Sequence, residues 1–245
     1  MKDNFSGYAG MYAKSRPKYP NDLFEYIMSF VIDTELAWDC GTGNGQTAIE
    51  LSQYFNKVYA TDISSSQIGH AGKANNIIYA TEPAEKTSLE NNSVNLITVS
   101  QALHWFNFDE FYNEVRRVAM PGGLIAVWTY SLLKIDPVTD EIISQHHFEK
   151  LKDYWDEERK YVDEYYKTIP FPFKQIQDPG FVIETHWDLQ SLEGYLNTWS
   201  ALQKFIAGND YNPVIQVMEK IKINWPENEI RKVLFPLYLK IGYVH

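Results

Sequence analysis

The sequence predicts an α/β fold, a mostly parallel sheet covered by helices on both faces. Three observations carry this. Short apolar runs alternate with helical patterns through the first half of the chain, as in successive strand–helix–strand units. The runs are continuously apolar, which suits strands buried on both faces better than strands with one wet face. The first run ends in Asp39-Cys40-Gly41-Thr42-Gly43-Asn44-Gly45 and passes directly into a helical pattern. That is a strand, a tight glycine turn and a helix start, where bare backbone N–H groups approach a ligand with no Cβ in the way.

Taken in order, strands fall at 36–40, 57–61, 77–80, 94–100 and 124–130, with helices at 47–54, 67–74 and 109–118 between them. Pro121-Gly122-Gly123 reads as the turn between the last of these helices and its strand. After Pro137 the pattern becomes polar, aromatic-rich and helical, with Tyr154, Trp155, Tyr161, Tyr165 and Tyr166 ahead of an extended Pro170-Phe171-Pro172-Phe173. This stretch is most simply an insertion covering the ligand edge of the sheet. A strand at 181–189, helices at 192–206 and 213–223, and a last strand at 233–243 complete the layout. No repeat, low-complexity segment or linker divides it. Residues 1–245 therefore read as one domain, with 1–30 as an N-terminal lid segment and 137–176 as a helical insertion.

Composition narrows the function. A chain of 245 residues with 44% hydrophobic content can bury a full core. Its 22 basic against 32 acidic residues give a formal charge of -10. No run of Lys or Arg forms a stripe that would neutralise phosphates, which argues against a nucleic-acid partner. The single cysteine, Cys40, leaves no intramolecular disulfide and no C-x-x-C metal site. His146 and His147 are adjacent and so point to different sides of a helix, which opposes chelation of one ion, and no metal is expected. The first residues lack the apolar core of a signal peptide, and no apolar run approaches the roughly 20 residues that span a bilayer. The expectation is a cytoplasmic protein with no membrane partner.

The glycines follow G-x-G-x-G, and the sixth position, where a dinucleotide fold needs a third small residue for close helix packing, is Gln46. That opposes a pyrophosphate ligand, and with it a nicotinamide oxidoreductase. Asp62 ends the second strand about twenty residues after Gly41, where an acid takes both hydroxyls of a ribose. Alone, Asp62 is equally a cap for a helix starting near Ser65, and the glycines are equally a turn. Together they point to a nucleoside without a phosphate chain.

Asp39-Cys40-Gly41-Thr42-Gly43-Asn44-Gly45 with Asp62 resembles the first two motifs of class I S-adenosylmethionine (SAM)-dependent methyltransferases. In that family an acid after the third strand sits beside the adenine, and Ala84-Glu85 holds the matching place without the usual Leu-Pro. The stretch from Ser93 to Ser100 resembles the family's fourth strand, with Asn95 where Asp is usual. Three further segments are similar to those of the small-molecule branch, type 11, that includes trans-aconitate methyltransferase-like enzymes. They are Ser100-Gln101-Ala102-Leu103-His104-Trp105-Phe106, Tyr12-Ala13-Lys14-Ser15-Arg16-Pro17-Lys18-Tyr19-Pro20 and Tyr195-Leu196-Asn197-Thr198-Trp199-Ser200. The resemblance spans nearly the whole chain. It implies a Rossmann-like sheet of seven strands in the order 3-2-1-4-5-7-6, SAM as cofactor, and methyl transfer to a small-molecule substrate.

On this reading the cofactor cleft is formed by Tyr12, Arg16, Asp39, Gly41, Gly43, Asp62, Ile63, Ala84, Glu85 and Gln101. Arg16, fixed by Pro17 beside Tyr12, suits the carboxylate of the methionine moiety. His104 follows the fourth strand at its carboxyl end, where open α/β sheets place ligands. It is either a base for a protonated oxygen nucleophile or a hydrogen-bonded spacer. Trp105, Tyr130, Arg231 and the tyrosines of the insertion are candidates for the substrate pocket, and the insertion's Tyr and Trp residues are either a lid's own core or in part face the substrate. No Asn-Pro-Pro-Tyr or Asp-Pro-Pro-Tyr segment follows the fourth strand, which opposes the amino nitrogen of a base as the target. The resemblance to the trans-aconitate branch makes a carboxylate or other oxygen nucleophile the expected acceptor, and the alternative is a non-catalytic SAM-binding protein of the same fold.

Overall fold

The computed structural model describes residues 17–245. Its sheet has eight strands: β1 (Leu36–Cys40), β2 (Lys57–Asp62), β3 (Ile77–Thr81), β4 (Val94–Ser100), β5 (Ala119–Tyr130), β6 (Lys174–Ile176), β7 (Phe181–Trp187) and β8 (Arg231–Tyr243). The order is 3-2-1-4-5-8, with β6 and β7 end to end along the outer edge of β8. The first five strands pair in parallel, and β8 runs antiparallel to β5, β6 and β7. This is the order implied by the resemblance, with the outermost strand broken in two. The break lies at Asp178-Pro179-Gly180. Asp178 accepts the Leu239 N–H of β8 at 3.0 Å in place of a ladder carbonyl, and Gly180 takes a left-handed φ of +86°.

The helices are α1 (Asn21–Met28), α2 (Gln46–Leu51), α3 (Ser65–Gly69), α4 (Phe108–Val118), α5 (Pro137–Gln145), α6 (Arg159–Asp163), α7 (Leu189–Leu196), α8 (Ser200–Gly208) and α9 (Val214–Lys222). Because side chains alternate along a strand, each face of the sheet feeds its own core. Leu96, Leu124 and Ala126 join α1, α2 and α7 to α9 on one side, while Ile97, Ile125 and Val127 join α4 on the other. Among the described residues no helix is long and apolar enough to cross a membrane.

Three expectations change. The N-terminal lid expected over 1–30 is, across α1, part of the core: Leu23, Phe24 and Ile27 are buried, and Phe24 meets Trp128 edge-on at 6.1 Å. Residues 1–16, with Tyr12 and Arg16, lie outside the described residues. Pro121-Gly122-Gly123 is a bulge inside β5 rather than a turn ahead of it, since pairing with β4 runs from Val94↔Ala119 to Leu96↔Leu124. There a Cβ on Gly123 would stand only 2.8 Å from the Met120 carbonyl oxygen. The helix expected at 192–206 is two helices, because Asn197 and Thr198 turn back to cap the carbonyls of Glu193 and Tyr195 at 2.8 and 2.6 Å.

The stretch from 137 to 176 holds α5, a π-helical turn (His146–Lys150), a 3-10 turn (Lys152–Tyr154), α6 and β6. Pro137 stands in the first turn of α5 and Asp136 caps it, accepting from Val138 and Thr139 N–H at 3.0 Å each. His146 and His147 are both buried, although neighbours on a helix face different ways. His146 stacks on Trp199, and the ring of His147 is enclosed by Phe148, Trp155 and Trp199.

Candidate functional site

The loop after β1 holds its three glycines in the left-handed region, at φ of +67° for Gly41, +56° for Gly43 and +78° for Gly45. They serve different ends. A Cβ on Gly41 would lie 2.6 Å from that of Ala102, and one on Gly45 would strike the Tyr79 hydroxyl, so these two are required by packing. A Cβ on Gly43 would meet none of the described residues within 4 Å. Among those residues Gly43 therefore leaves its backbone open on that side, and its N–H donates to Asp62 Oδ2 at 2.9 Å. The other Asp62 oxygen accepts Ser64 N–H at 2.9 Å, and the cap of α3 is the Ser64 hydroxyl, not Asp62. Asp62 and Ile63 are half-exposed.

Asp39 differs from the expectation of a residue facing the ligand. It is fully buried, with Thr42 and Thr98 hydroxyls donating to its two oxygens at 2.6 and 2.8 Å. Burial pushes its carboxyl up to about 6. It braces the glycine loop from beneath and has no surface to offer.

The loop after β3 carries Ala84, buried, and Glu85, half-exposed, whose Oε1 accepts the Asn107 N–H at 2.9 Å. The loop is tied to α4. Thr87 donates through N–H and hydroxyl to Glu114 Oε1 at 2.7 Å each, and Arg117 donates to the Leu89 carbonyl at 2.7 Å. Burial works against the Glu114 charge, but hydrogen bonds from Arg117 and Thr87 outweigh it and hold its carboxyl below the usual range. At the end of β4, Gln101 adopts a left-handed φ of +55° and accepts the Thr129 hydroxyl proton at 2.6 Å. Such backbone in a non-glycine residue concentrates at functional sites. Gly43, Asp62, Glu85 and Gln101 thus stand at the carboxyl ends of four adjacent strands.

Beyond the ends of β4 and β5 lies a cavity of about 60 Å³, lined by Gln101, His104, Trp105, Tyr130, Ser131, Trp155, Asp156, Arg159, Val162, Tyr195, Trp199 and Ser200. Of the residues expected at the substrate pocket, Trp105 and Tyr130 are here, while Arg231 and the insertion tyrosines Tyr154, Tyr161, Tyr165 and Tyr166 are not in its lining. Tyr130 pairs with Leu237, and β8 continues well past that point before reaching Arg231 at its tip. There Arg231 bonds Asp136 and Glu229, each at 2.9 Å, and stacks on Trp225. Among the described residues the cation lining the cavity is Arg159 of α6. Its guanidinium lies 4.7 Å from the Trp155 ring centre and donates to Asp163 at 3.0 Å, and Asp163 also meets His147 Nε2 at 3.2 Å. Burial opposes the Asp163 charge, but His147 and Arg159 hold its carboxyl below the usual range.

His104 sits in the 3-10 turn Leu103–Trp105, only 7% exposed, with Nδ1 2.7 Å from the Tyr166 hydroxyl. Burial first, and the Arg159 charge second, push its imidazole down to about 3. It is neutral near pH 7 and a poor base. Tyr165 and Tyr166 both have left-handed φ, at +60° and +58°, in the turn that brings the Tyr166 ring to His104. Trp155 is one of the insertion aromatics expected in part to face the substrate, whereas sequence reasoning missed Arg159 and, as site residues, Tyr195, Trp199 and Ser200. A signal existed for the last three, which stand in the segment Tyr195–Ser200 already singled out; Arg159 had none.

A family described as a methyltransferase domain matches residues 38–127. A candidate methyltransferase of Dictyostelium discoideum is 35% identical over 97% of this chain and 93% of its own. A candidate S-adenosylmethionine-dependent methyltransferase of Saccharomyces cerevisiae is 30% identical over 49% of this chain and 44% of its own. The solved structure of a candidate type II methyltransferase from Anaeromyxobacter dehalogenans superposes with a TM-score of 0.87 at 34% identity, covering 94% of this chain and 98% of its own.

Proposed function

The chain belongs to the class I SAM-dependent methyltransferases, and on that premise we propose that it methylates a small molecule at an ionised oxygen, most simply a carboxylate, held by Arg159. SAM, when bound, supplies a methyl group already activated by its sulfonium. The described residues fit it: Gly43 meets none of them within 4 Å on the side a Cβ would occupy, and half-exposed Asp62 and Glu85 follow at the ends of the next two strands on one side of the loop. In this reading Asp62 takes the ribose hydroxyls, Ile63, Ala84 and Glu85 flank the adenine, and Gln101 stands between cofactor and acceptor. Tyr12 and Arg16 are assigned to the methionine carboxylate from the sequence.

The observation that carries the acceptor class is Arg159, a cation lining a small cavity with Trp105, Tyr130, Trp155, Tyr195 and Trp199, where the one acid of the lining, Asp156, is itself paired with Lys204 at 2.7 Å. A guanidinium has five donors in a fixed fork that matches a carboxylate. A carboxylate is ionised at pH 7, so it needs a cationic partner more than a base. His104, neutral and weakly basic, then shapes the wall and offers one ring nitrogen. The aromatic side chains align the acceptor and exclude water, and such positioning is worth about 7 to 11 kcal/mol at best. The similarity of the segments around Trp105 and Trp199 to the trans-aconitate branch supports the same acceptor class.

The test is a methyl-transfer screen with SAM and a panel of small mono-, di- and tricarboxylic acids, trans-aconitate among them, read by mass spectrometry. Methyl esters formed by the wild type and lost in Arg159→Gln would support the reading. Transfer to phenols or amines, with every acid inert, would overturn it.

A further inference from the structure

A second concavity, of about 370 Å³, lies on the far side of the helical cover, between α5, its π-helical extension and α9. Its make-up is that of a small-molecule site. The floor is apolar and buried, formed by Pro213 and Val217 beside half-buried Ile142. His146 lines it too, 4% exposed, and its Nε2 is a buried ring nitrogen without a protein partner. At the rim stand Lys150 and Lys220, neither with a carboxylate partner among the described residues, against a single acid, Glu149. The Lys150 ammonium rests over the Phe205 and Tyr211 rings at 5.1 and 5.4 Å instead. The backbone that presents His146 and Lys150 is π-helical, a rare form that recurs at functional sites.

A volume of this order with an apolar floor and a few polar groups is what a small ligand requires. In a chain of formal charge -10, a groove with two unpaired lysines selects for an anion. We propose that this groove binds a small monocarboxylate with an apolar tail, the tail on Val217, Pro213 and Ile142 and the carboxylate at Lys150 and Lys220. The His146 ring in its floor stacks on Trp199 at 6.0 Å, and Trp199 also lines the cavity of Arg159.

The test is calorimetry on the full chain with hexanoate, with hexanol and inorganic phosphate as controls for charge alone and tail alone removed. One saturable hexanoate site is expected, with hexanol and phosphate weaker by about tenfold or more. The double variant Lys150→Gln/Lys220→Gln changes only exposed side chains and should weaken hexanoate by about tenfold. Val217→Trp, which fills the floor, should abolish it, while Arg159→Gln should leave it in place. Absence of saturable hexanoate heat, hexanol binding as tightly as hexanoate, or loss of binding in Arg159→Gln with both groove variants unaffected would each overturn the proposal. Failure of the groove would leave the methyl-transfer screen untouched, so the two readings fall separately.

Discussion

The Asp62 carboxylate accepts the Gly43 N–H at 2.9 Å, so the acid that ends β2 and the middle glycine of the loop after β1 form one bonded unit. The glycine loop is held from the side by Asp62 and from below by Asp39. Two acids that look alike in the sequence thus divide the work, one half-exposed and one sealed.

Asp62→Ala should weaken SAM binding by about 1 to 3 kcal/mol, since a charged acceptor is lost both for the ligand and for the loop. Calorimetry measures the affinity and thermal denaturation checks the fold. Unchanged affinity in a folded variant would remove Asp62 from the cofactor site.

Gly41→Ala and Gly43→Ala should separate stability from binding. Both carry the left-handed strain of a Cβ, about 1 to 2 kcal/mol, but at Gly41 the new methyl also strikes Ala102. Gly41→Ala should therefore lose more thermal stability. Gly43→Ala should stay closer to wild type in Tm while losing SAM affinity, because its methyl enters the open space. Equal affinity for SAM in wild type and Gly43→Ala would show that the cofactor does not approach there.

Acid should destabilise the protein through its buried histidines. Burial holds His104 down at about 3 and His146 at about 4, and it lowers His147 despite the hydrogen bond its ring donates to Asp163. Each binds its proton near pH 6.5 when unfolded and only at lower pH when folded. Their stabilisation is thus present above 6.5 and is lost as pH falls toward the folded values, at about 1.4 kcal/mol per pH unit for each group. Asp39, raised to about 6 from 3.8, has the opposite sign and offsets one of them between those values. Urea unfolding at pH 7 and pH 5 should show a clear loss in wild type and a smaller one in His104→Gln. Identical losses would mean that His104 is not the buried neutral group described.

Methyl transfer itself should vary little between pH 6 and 8, because no group titrating there is asked to take a proton. A rate that rises through pH 6.5 and loses that rise in His104→Gln would restore a base role to the imidazole.

Arg159→Gln should raise KM for the carboxylate acceptor by about tenfold or more, with kcat changed less, as expected when a charged ground-state partner is removed. Arg231→Gln, which breaks contacts with Asp136, Glu229 and Trp225, should lower Tm and leave KM alone. The reverse pattern would return Arg231 to the pocket.

What could be read in advance follows from how local each signal is. Strand β1 was legible to the residue, because an unbroken apolar run meets an acid and glycines at Leu36–Cys40. The strand ends after β1 to β4 were legible because a parallel sheet puts them side by side. Arg231 went astray because strand order gives neighbours but not register, and an antiparallel β8 overshoots β5. Asp39 went astray because the hydroxyls of Thr42 and Thr98 that seal it come from a turn and a neighbouring strand. Arg159 was invisible: α6 is only Arg159–Asp163, with no pattern of its own, and its place is fixed by Trp155, Asp163 and His147.

The position of β8 also sets a timetable for the newborn chain. Strands β1 to β5 meet their partners in the order in which they emerge, and the ladders β1 to β3 and β1 to β4 to β5 are complete once Tyr130 is out. Among the described residues, however, strands β6 and β7 pair only with β8, which is synthesised after the whole of α7, α8 and α9. Until then their edges and the open edge of β5 are unsatisfied templates for another chain. A ribosome stalled before Arg231 would therefore hold a nearly finished sheet with its sticky side bare, and residues 231–243 act as the closing stitch that covers the edges of β5, β6 and β7.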